Sequence, residues 1–232
     1  MQSHWLNKQN NDKLIIFFTG WSFDYKPFEF LDYEDFDVLI LYDYNLNPRP
    51  LREREKFVNE LCEFTNLGEG YKQYYLIAWS MGVFMAYQMR NELPKFNKKI
   101  AINGTPFPVN DEFGIPQKPF LLTLRHAKTG LEGKFYQNIF DKPEEFERYQ
   151  TAPVERSIEN REQELKTLYA KIKETDKTYE TYYDKALVSN NDKIIPTKNQ
   201  LNFWQNKVPV EILESGHFPY YNFKSWNEIL CK

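Results

Sequence analysis

A serine set between two small residues is the feature of this sequence that most directly suggests chemistry. Ser80 lies between an apolar run at 74–77, which predicts a buried strand, and a helix-forming run at 83–89. Ala78 and Gly82, two residues to either side, leave room for the sharp strand-to-helix turn that exposes a nucleophilic serine. The hydroxyl of such a serine can form an acyl intermediate once a base takes its proton. The sequence therefore predicts a nucleophile elbow at Ser80.

Two later segments supply the base and the acid that a serine nucleophile needs. His217 follows a short predicted strand, and Asp192 lies in a polar loop after another. The carboxylate would accept from one imidazole nitrogen, which leaves the other to take the serine proton. Glu214 and Asp184 are rival acids, but Glu214 lies very close to His217 in sequence and Asp184 precedes its strand. Asp192 is favoured because α/β sheets place their chemistry at the carboxyl ends of strands.

The chain order of nucleophile, acid and histidine is that of α/β-hydrolases, and the hydrophobic pattern fits the same fold. Further strands are predicted from apolar runs at residues 14–18, 37–42, 99–103, 185–188 and 210–213. Helical spacing of apolar residues appears at 51–65, and a helix-start signal at Pro196 precedes a helix near 197–206. Strands that alternate with helices predict a mostly parallel sheet with helices on its faces.

The alternation breaks between residues 108 and 183, where no convincing pair of strands is found. A short helix is predicted at 141–149, and Thr151 is the expected cap of a longer helix that carries apolar residues along one side. We interpret residues 108–183, the helical insert, as a lid placed after the fourth core strand. The hydrolase core would then comprise 1–107 and 184–232. Alternatively, these helices only cover the sheet edge.

A tetrahedral intermediate also needs two backbone N–H groups aimed at its negative oxygen. The residue after the nucleophile, Met81, supplies one, and the loop after the first core strand supplies the other. In that loop Gly20 permits close approach of the backbone, so the amide of Trp21 is the expected second donor. The Trp21 ring could equally pack at the rim of the pocket, and the Ser22 hydroxyl is a further candidate donor.

Composition excludes several classes of function. A net charge of −3 gives no bulk attraction to nucleic acid or to an anionic membrane surface. No apolar run is long enough to span a bilayer, and the first residues lack the apolar core of a signal peptide. The two cysteines are far apart in sequence, which favours free thiols. We therefore expect a cytoplasmic enzyme that needs no metal and no cofactor.

Three motifs together resemble a known family. Gly20-Trp21 after the first core strand, the run 79–82 at the elbow and the run 215–217 near the end are similar to the pimeloyl-acyl-carrier-protein methyl ester esterases of biotin synthesis, with the short BioG type the best match. The resemblance covers nearly the whole chain. It implies hydrolysis of the methyl ester of pimeloyl-acyl carrier protein, which releases methanol, with the acyl carrier protein as partner.

The resemblance also implies roles for individual residues. Ser80 matches the nucleophile, Asp192 the acid and His217 the base, whereas Trp21 and Met81 match the oxyanion donors. Two positions depart from the usual pattern. Alanine replaces the first glycine of the elbow, and threonine at position 19 stands where many α/β-hydrolases carry a histidine. The second departure leaves open how the oxyanion loop is braced.

A carrier-bound acyl chain requires an apolar channel and a docking surface. Aromatic residues in the insert or immediately before it could line the channel: Phe107, Phe135, Tyr136, Phe140 and Tyr149. Basic residues could meet an acidic carrier protein: Arg125, Lys128, Lys134, Arg148, Arg156 and Arg161. The insert is not basic overall, and solvated helix faces explain many such charges equally well.

Two other classes of function fit the same residues. One is a different α/β-hydrolase, such as a thioesterase, a lipase or a carboxylesterase for small esters. The other is a hydrolase-fold binding protein without catalysis. Fold and nucleophile do not separate the first class from the methyl ester esterase, because function depends on the pocket.

Overall fold

A single twisted sheet forms the centre of the molecule. The computed structural model describes residues 1–45, 70–175 and 178–232. Within these ranges the sheet has seven strands in the spatial order β1-β3-β2-β4-β5-β6-β7, and only β1 is antiparallel to its neighbour. The strands are β1 Gln2–Asn7, β2 Lys13–Phe18, β3 Phe36–Tyr42, β4 Gln73–Trp79, β5 Lys98–Ile102, β6 Lys185–Ser189 and β7 Val210–Leu213. The expected α/β architecture is confirmed.

The central strands form because their sequences are apolar on both faces. Strand β3 is buried at every position, and β2 is buried at all but its first residue. Continuous apolar runs of this kind are typical of parallel strands covered by helices on both sides. The carboxyl ends of the parallel strands all meet at one edge of the sheet. That edge carries the residues considered below.

Strand β1 was not predicted. It pairs with β3 at the edge of the sheet and is half-exposed, so its sequence mixes polar and apolar residues and lacks an apolar run. His4 lies within this strand, and its ring stacks on that of Tyr25 with 3.7 Å between the ring centroids. Polar edge strands of this kind carry little hydrophobic signal.

The described helices fall into two groups. Three accompany the core: α1 Met81–Gln88, α7 Thr197–Trp204 and α8 Trp226–Cys231. Five lie in the helical insert: α2 Gln117–Arg125, α3 Ala127–Glu132, α4 Phe135–Ile139, α5 Pro143–Thr151 and α6 Ile158–Glu174. Helices α2 and α3 pack against α6. The helix predicted at 51–65 lies outside the described residues. No helix in the described part of the chain is long and apolar enough to cross a membrane.

The longest helix begins later than predicted. Thr151 ends α5, and the N-cap of α6 is Ser157, whose hydroxyl accepts a hydrogen bond from the Asn160 amide at 3.2 Å. A serine is a good cap because its oxygen satisfies an amide left free in the first turn. The predicted apolar side of this helix does face inward, with Leu165 and Leu168 buried. That the insert acts as a lid stays a prediction.

Candidate active site

Ser80 is the single residue between β4 and α1, and its backbone is strained. Its φ of 57° and ψ of −125° lie outside the regions that most residues with side chains adopt. Strain of this size persists only where the surroundings hold it. A methyl group on Gly82 would lie 2.4 Å from the carbonyl oxygen of Phe18 and 2.5 Å from that of Thr19. Glycine is therefore required because the end of β2 approaches the turn.

The structure brings Ser80, His217 and Asp192 together in one hydrogen-bonded array. Nε2 of His217 lies 2.8 Å from the Ser80 hydroxyl, and Nδ1 lies 2.8 Å from Oδ2 of Asp192. All three residues are buried. Such a chain can move the hydroxyl proton to the imidazole while the carboxylate stabilises the resulting imidazolium.

Further hydrogen bonds fix the orientation of the Asp192 carboxylate. Oδ1 accepts from the amides of Ile194 and Ile195 at 2.8 and 2.9 Å. Oδ2 accepts from Nε2 of Gln200 at 2.8 Å as well as facing His217. Four donors therefore surround this buried carboxylate and hold it in one orientation. Gln200 was not singled out from the sequence, since a glutamine on a helix carries no signal for this role.

The backbone of the histidine loop is held from the elbow side. The carbonyl oxygen of His217 accepts from the indole Nε1 of Trp79 at 2.8 Å and from Nδ2 of Asn103 at 3.0 Å. Both donors follow or end neighbouring parallel strands. These two hydrogen bonds tie the backbone of His217 to the ends of β4 and β5, next to Ser80.

The two rival acids lie elsewhere. Asp184 precedes β6 and pairs with Lys99, whose Nζ is 2.8 Å from Oδ2. Glu214 is exposed, which agrees with the expectation that a residue so close in sequence to His217 would not be its acid partner. The geometry therefore favours Asp192 as the partner of the imidazole.

The loop after β2 lies directly against the elbow. A methyl group on Gly20 would lie 3.0 Å from the Cβ of Ser80, so the loop backbone approaches as closely as a glycine permits. Met81 opens α1, and the amide of a first-turn residue has no acceptor within its own helix. Trp21 is buried, and its indole Nε1 donates to the carbonyl oxygen of Arg161 at 2.7 Å. The Trp21 ring is therefore packed, and this is compatible with a role of the Trp21 backbone amide as an oxyanion donor.

A cavity of about 190 Å³ opens beside Ser80 and His217. Its walls are mostly apolar. They come from the loop after β2, the elbow, the helical insert and the loop after β6: Trp21, Phe23, Trp79, Met81, Ile115, Pro119, Phe120, Phe135, Ile139, Leu165 and Ile194. Lys193 also borders it. The sequence had suggested Phe135, whereas the contribution of α2 and of the 193–194 loop had no recognisable signal.

Four of the five aromatic residues suggested for the channel do not line this cavity: Phe107, Tyr136, Phe140 and Tyr149. Phe107 packs against Phe203, with 5.5 Å between ring centroids, because it follows β5 on the side of α7. Phe140 belongs to a buried aromatic cluster, and its ring is tilted against that of Phe218 with 5.4 Å between the ring centroids. Neither Phe107 nor Phe140 borders the cavity beside Ser80, and their role as substrate contacts stays a prediction.

Two of the basic residues expected to dock a partner are buried. The side chain of Arg156 bridges Asp43 at 3.0 Å and Glu164 at 2.9 Å. Arg161 donates to the hydroxyl of Tyr136 at 2.6 Å. Neither is free to meet another protein, because each guanidinium is engaged in the interior.

Arg148 differs from these two arginines. It is exposed, and its guanidinium lies over the rings of Phe30 and Tyr221, at 4.4 and 4.2 Å from their centroids. It therefore remains a candidate contact for a partner.

Comparison with known proteins identifies the family of this chain. The model of a family described as "Pimeloyl-ACP methyl esterase BioG" matches residues 1–229. The chain belongs to this family. An uncharacterised protein of Haemophilus influenzae is 31% identical over 223 residues, which are 94% of each chain. A malonyl-[acyl-carrier protein] O-methyltransferase of Bacteroides fragilis is 32% identical over 196 residues, but the match spans only 36% of that longer protein.

Solved structures extend the comparison to the fold. The crystal structure of BioG from Haemophilus influenzae is similar with a TM-score of 0.82 and 30% identity, covering 98% of this chain and 99% of that one. An esterase from Exiguobacterium antarcticum has a TM-score of 0.64 at 16% identity, covering 95% and 89%. At that identity the second match shows the fold alone. The BioG family member described here therefore has the α/β-hydrolase fold.

Proposed function

We propose that this protein is a serine carboxylesterase that hydrolyses the methyl ester of pimeloyl-acyl carrier protein. The observation that carries the proposal is the Ser80–His217–Asp192 array, with 2.8 Å between each pair of hydrogen-bonding atoms, at the base of an apolar cavity. Membership of the BioG family supports the substrate class.

The reaction follows from the positions of these side chains. His217 takes the proton of the Ser80 hydroxyl as its oxygen attacks the ester carbonyl, and the amides of Trp21 and Met81 bind the oxyanion. Collapse of the tetrahedral intermediate expels the methoxy group, which leaves as methanol with the proton from His217. Water activated by His217 then attacks the acyl-enzyme and releases the free carboxylate. Asp192 holds the imidazole tautomer in both steps.

The acyl carrier protein is the proposed partner, and exposed basic residues of the helical insert are its proposed contacts. Arg125, Lys128 and Lys134 are exposed on or beside α2, α3 and α4. Helices α2 and α4 also contribute walls to the cavity, so these basic residues lie on or beside helices that border it. A lid role for the insert belongs to the same proposal, because these helices cover the array.

The decisive experiment is hydrolysis of the carrier-bound pimeloyl methyl ester by purified protein. Mass spectrometry distinguishes loss of the methyl group from release of the acyl chain as a thioesterase product. A short aryl ester serves as a general esterase substrate. We expect demethylation to dominate and Ser80→Ala to abolish it. Thioester cleavage, or activity confined to aryl esters, would favour another hydrolase, and no labelling by a fluorophosphonate would favour a binding protein.

A further inference from the structure

The oxyanion loop is in contact with a buried carboxylate from the helical insert. Glu164 of α6 is completely buried, and both of its oxygens are used. Oε2 accepts from the amide of Ser22 at 3.0 Å, and Oε1 accepts from the amide of Tyr44 at 2.8 Å. Arg156 lies 2.9 Å from Oε2 and balances the charge. A helix of the insert thus holds the loops after β2 and β3 together.

A second set of contacts reaches the same loop. The carbonyl oxygen of Arg161, also on α6, accepts from the Trp21 indole at 2.7 Å. The Arg161 guanidinium donates to the Tyr136 hydroxyl at 2.6 Å, and that hydroxyl lies 3.0 Å from the hydroxyl of Ser22. The side chain of Trp21 and both the amide and the hydroxyl of Ser22 are therefore held from the insert.

The backbone of this loop needs such support. Ser22 has a φ of 71°, a left-handed conformation that is uncommon for a residue with a side chain. Thr19 stands where many α/β-hydrolases carry a histidine. Its own amide donates to the carbonyl oxygen of Leu41 at 3.0 Å, so it braces the loop only at the end of β2. Three residues farther along the loop, Glu164 accepts the hydrogen bond from the Ser22 amide.

We propose that Glu164 is a positioning residue for the reaction: by binding the Ser22 amide from α6, it holds the Trp21–Ser22 peptide and thereby positions the adjoining Trp21 N–H at the oxyanion site. The inference rests on the proposed function, in which Trp21 is an oxyanion donor for attack by Ser80. A hydrogen bond to a carboxylate is shorter and stronger than one between neutral groups, which suits a support that must not move. Burial raises the pKa of Glu164, whereas Arg156 and the two amides favour its ionised form.

Glu164→Gln tests the role with little change in volume. The new NH₂ group would face the Ser22 amide or the Tyr44 amide, so one donor meets another and the loop loses a contact. Turnover of a short aryl ester should fall roughly 10- to 100-fold, which is less than the roughly 10²- to 10³-fold loss on removal of one oxyanion donor, because here the donor is displaced and not removed. KM should stay within about twofold, because the donor acts on the transition state.

A trifluoromethyl ketone gives a readout that a purely structural role would not move. Ser80 adds to its carbonyl carbon, and the oxygen becomes an anion in the same site. Its inhibition constant should rise in proportion to the loss of kcat/KM. Lys166→Gln is the matched control on α6, since Lys166 pairs with Glu162 on the exposed side of the helix. This control should leave turnover, KM and inhibition unchanged.

Tyr136→Phe provides a second, milder test, because it removes the hydroxyl that links Arg161 to Ser22. We expect a smaller loss of turnover with the same weakening of the ketone. Folded variants with wild-type turnover and ketone affinity would overturn the proposal, and so would a rise in KM alone. Failure of both variants to fold would show that the contacts serve the fold and would also count against it.

The outcome separates this inference from the proposed function. A wild-type protein that cleaves aryl esters but not the carrier-bound methyl ester would refute the substrate and leave the positioning role supported or refuted by the variants. A wild-type protein that cleaves no ester and resists fluorophosphonate would refute both.

Discussion

Replacement of Asp192 by asparagine should separate the role of the carboxylate from that of the fold. The amides of Ile194 and Ile195 donate to Oδ1 at 2.8 and 2.9 Å, so the asparagine oxygen will occupy this position. Its NH₂ group then replaces Oδ2, which lies 2.8 Å from Nδ1 of His217. Because an NH₂ donates, Nδ1 must accept and the proton moves to Nε2. The imidazole can then no longer take the proton of Ser80.

The expected loss of turnover is about 10⁴-fold, or roughly 5.5 kcal/mol in the activation barrier. The structure also predicts a cost to folding. Nε2 of Gln200 donates to Oδ2 at 2.8 Å and would face the new NH₂ group, which costs about 1–3 kcal/mol. Since small domains have about 5–15 kcal/mol of stability, the protein should stay folded at 25 °C. The lost activity therefore reports chemistry.

The assay is steady-state hydrolysis of a short ester alongside urea unfolding of the same samples. Asp184→Asn and Glu214→Gln are matched controls, because Asp184 pairs with Lys99 and Glu214 is exposed. Both should keep nearly all activity. The reasoning fails if folded Asp192→Asn loses less than about tenfold while either control is crippled.

Three further outcomes follow from the described contacts. Ser80→Ala should reduce turnover by about 10⁶ with little change in the melting temperature, and residual activity in a folded mutant would place the nucleophile elsewhere. Gly82→Ala should destabilise the fold by about 1–3 kcal/mol in urea unfolding, because the new methyl lies 2.4 Å from the Phe18 carbonyl oxygen; an unchanged midpoint would contradict this. The double variant Arg125→Glu, Lys128→Glu should slow hydrolysis of the carrier-bound ester far more than that of a free methyl ester, with added salt mimicking the change in the wild-type protein; equal losses would exclude docking there.

Sequence patterns predicted the core of the molecule well where each strand carries its own signal. Strand β7 occupies the residues expected. Three of its four residues are apolar, and the proline before it marks where it begins. The array around Ser80 was also found from the sequence, since each member follows a parallel strand and the strands end at one edge. Strand β1 was missed because pairing at an edge requires no apolar run.

The insert was harder to predict, because its charged residues look alike in sequence. Arg148, Arg156 and Arg161 all lie in helical or flanking segments rich in charge. Arg156 and Arg161 are buried only because partners that are distant in sequence meet them, among them Asp43 and Tyr136. Such pairing depends on tertiary packing, which neither periodicity nor composition records. Glu164 escaped notice for the same reason.

The contacts that build the site have a consequence for how the chain folds. The hydrogen bond from Trp21 to Arg161 joins residues 140 positions apart, and that between Ser80 and His217 joins residues 137 apart. Contacts of such high sequence separation close large loops, which makes them slow to form. Strands β2, β3 and β4 can pair before the last quarter of the chain is in place, whereas the base cannot. During refolding from denaturant, we therefore expect helical circular dichroism to recover before enzymatic activity, and a nascent chain on the ribosome to stay inactive until its final segment emerges.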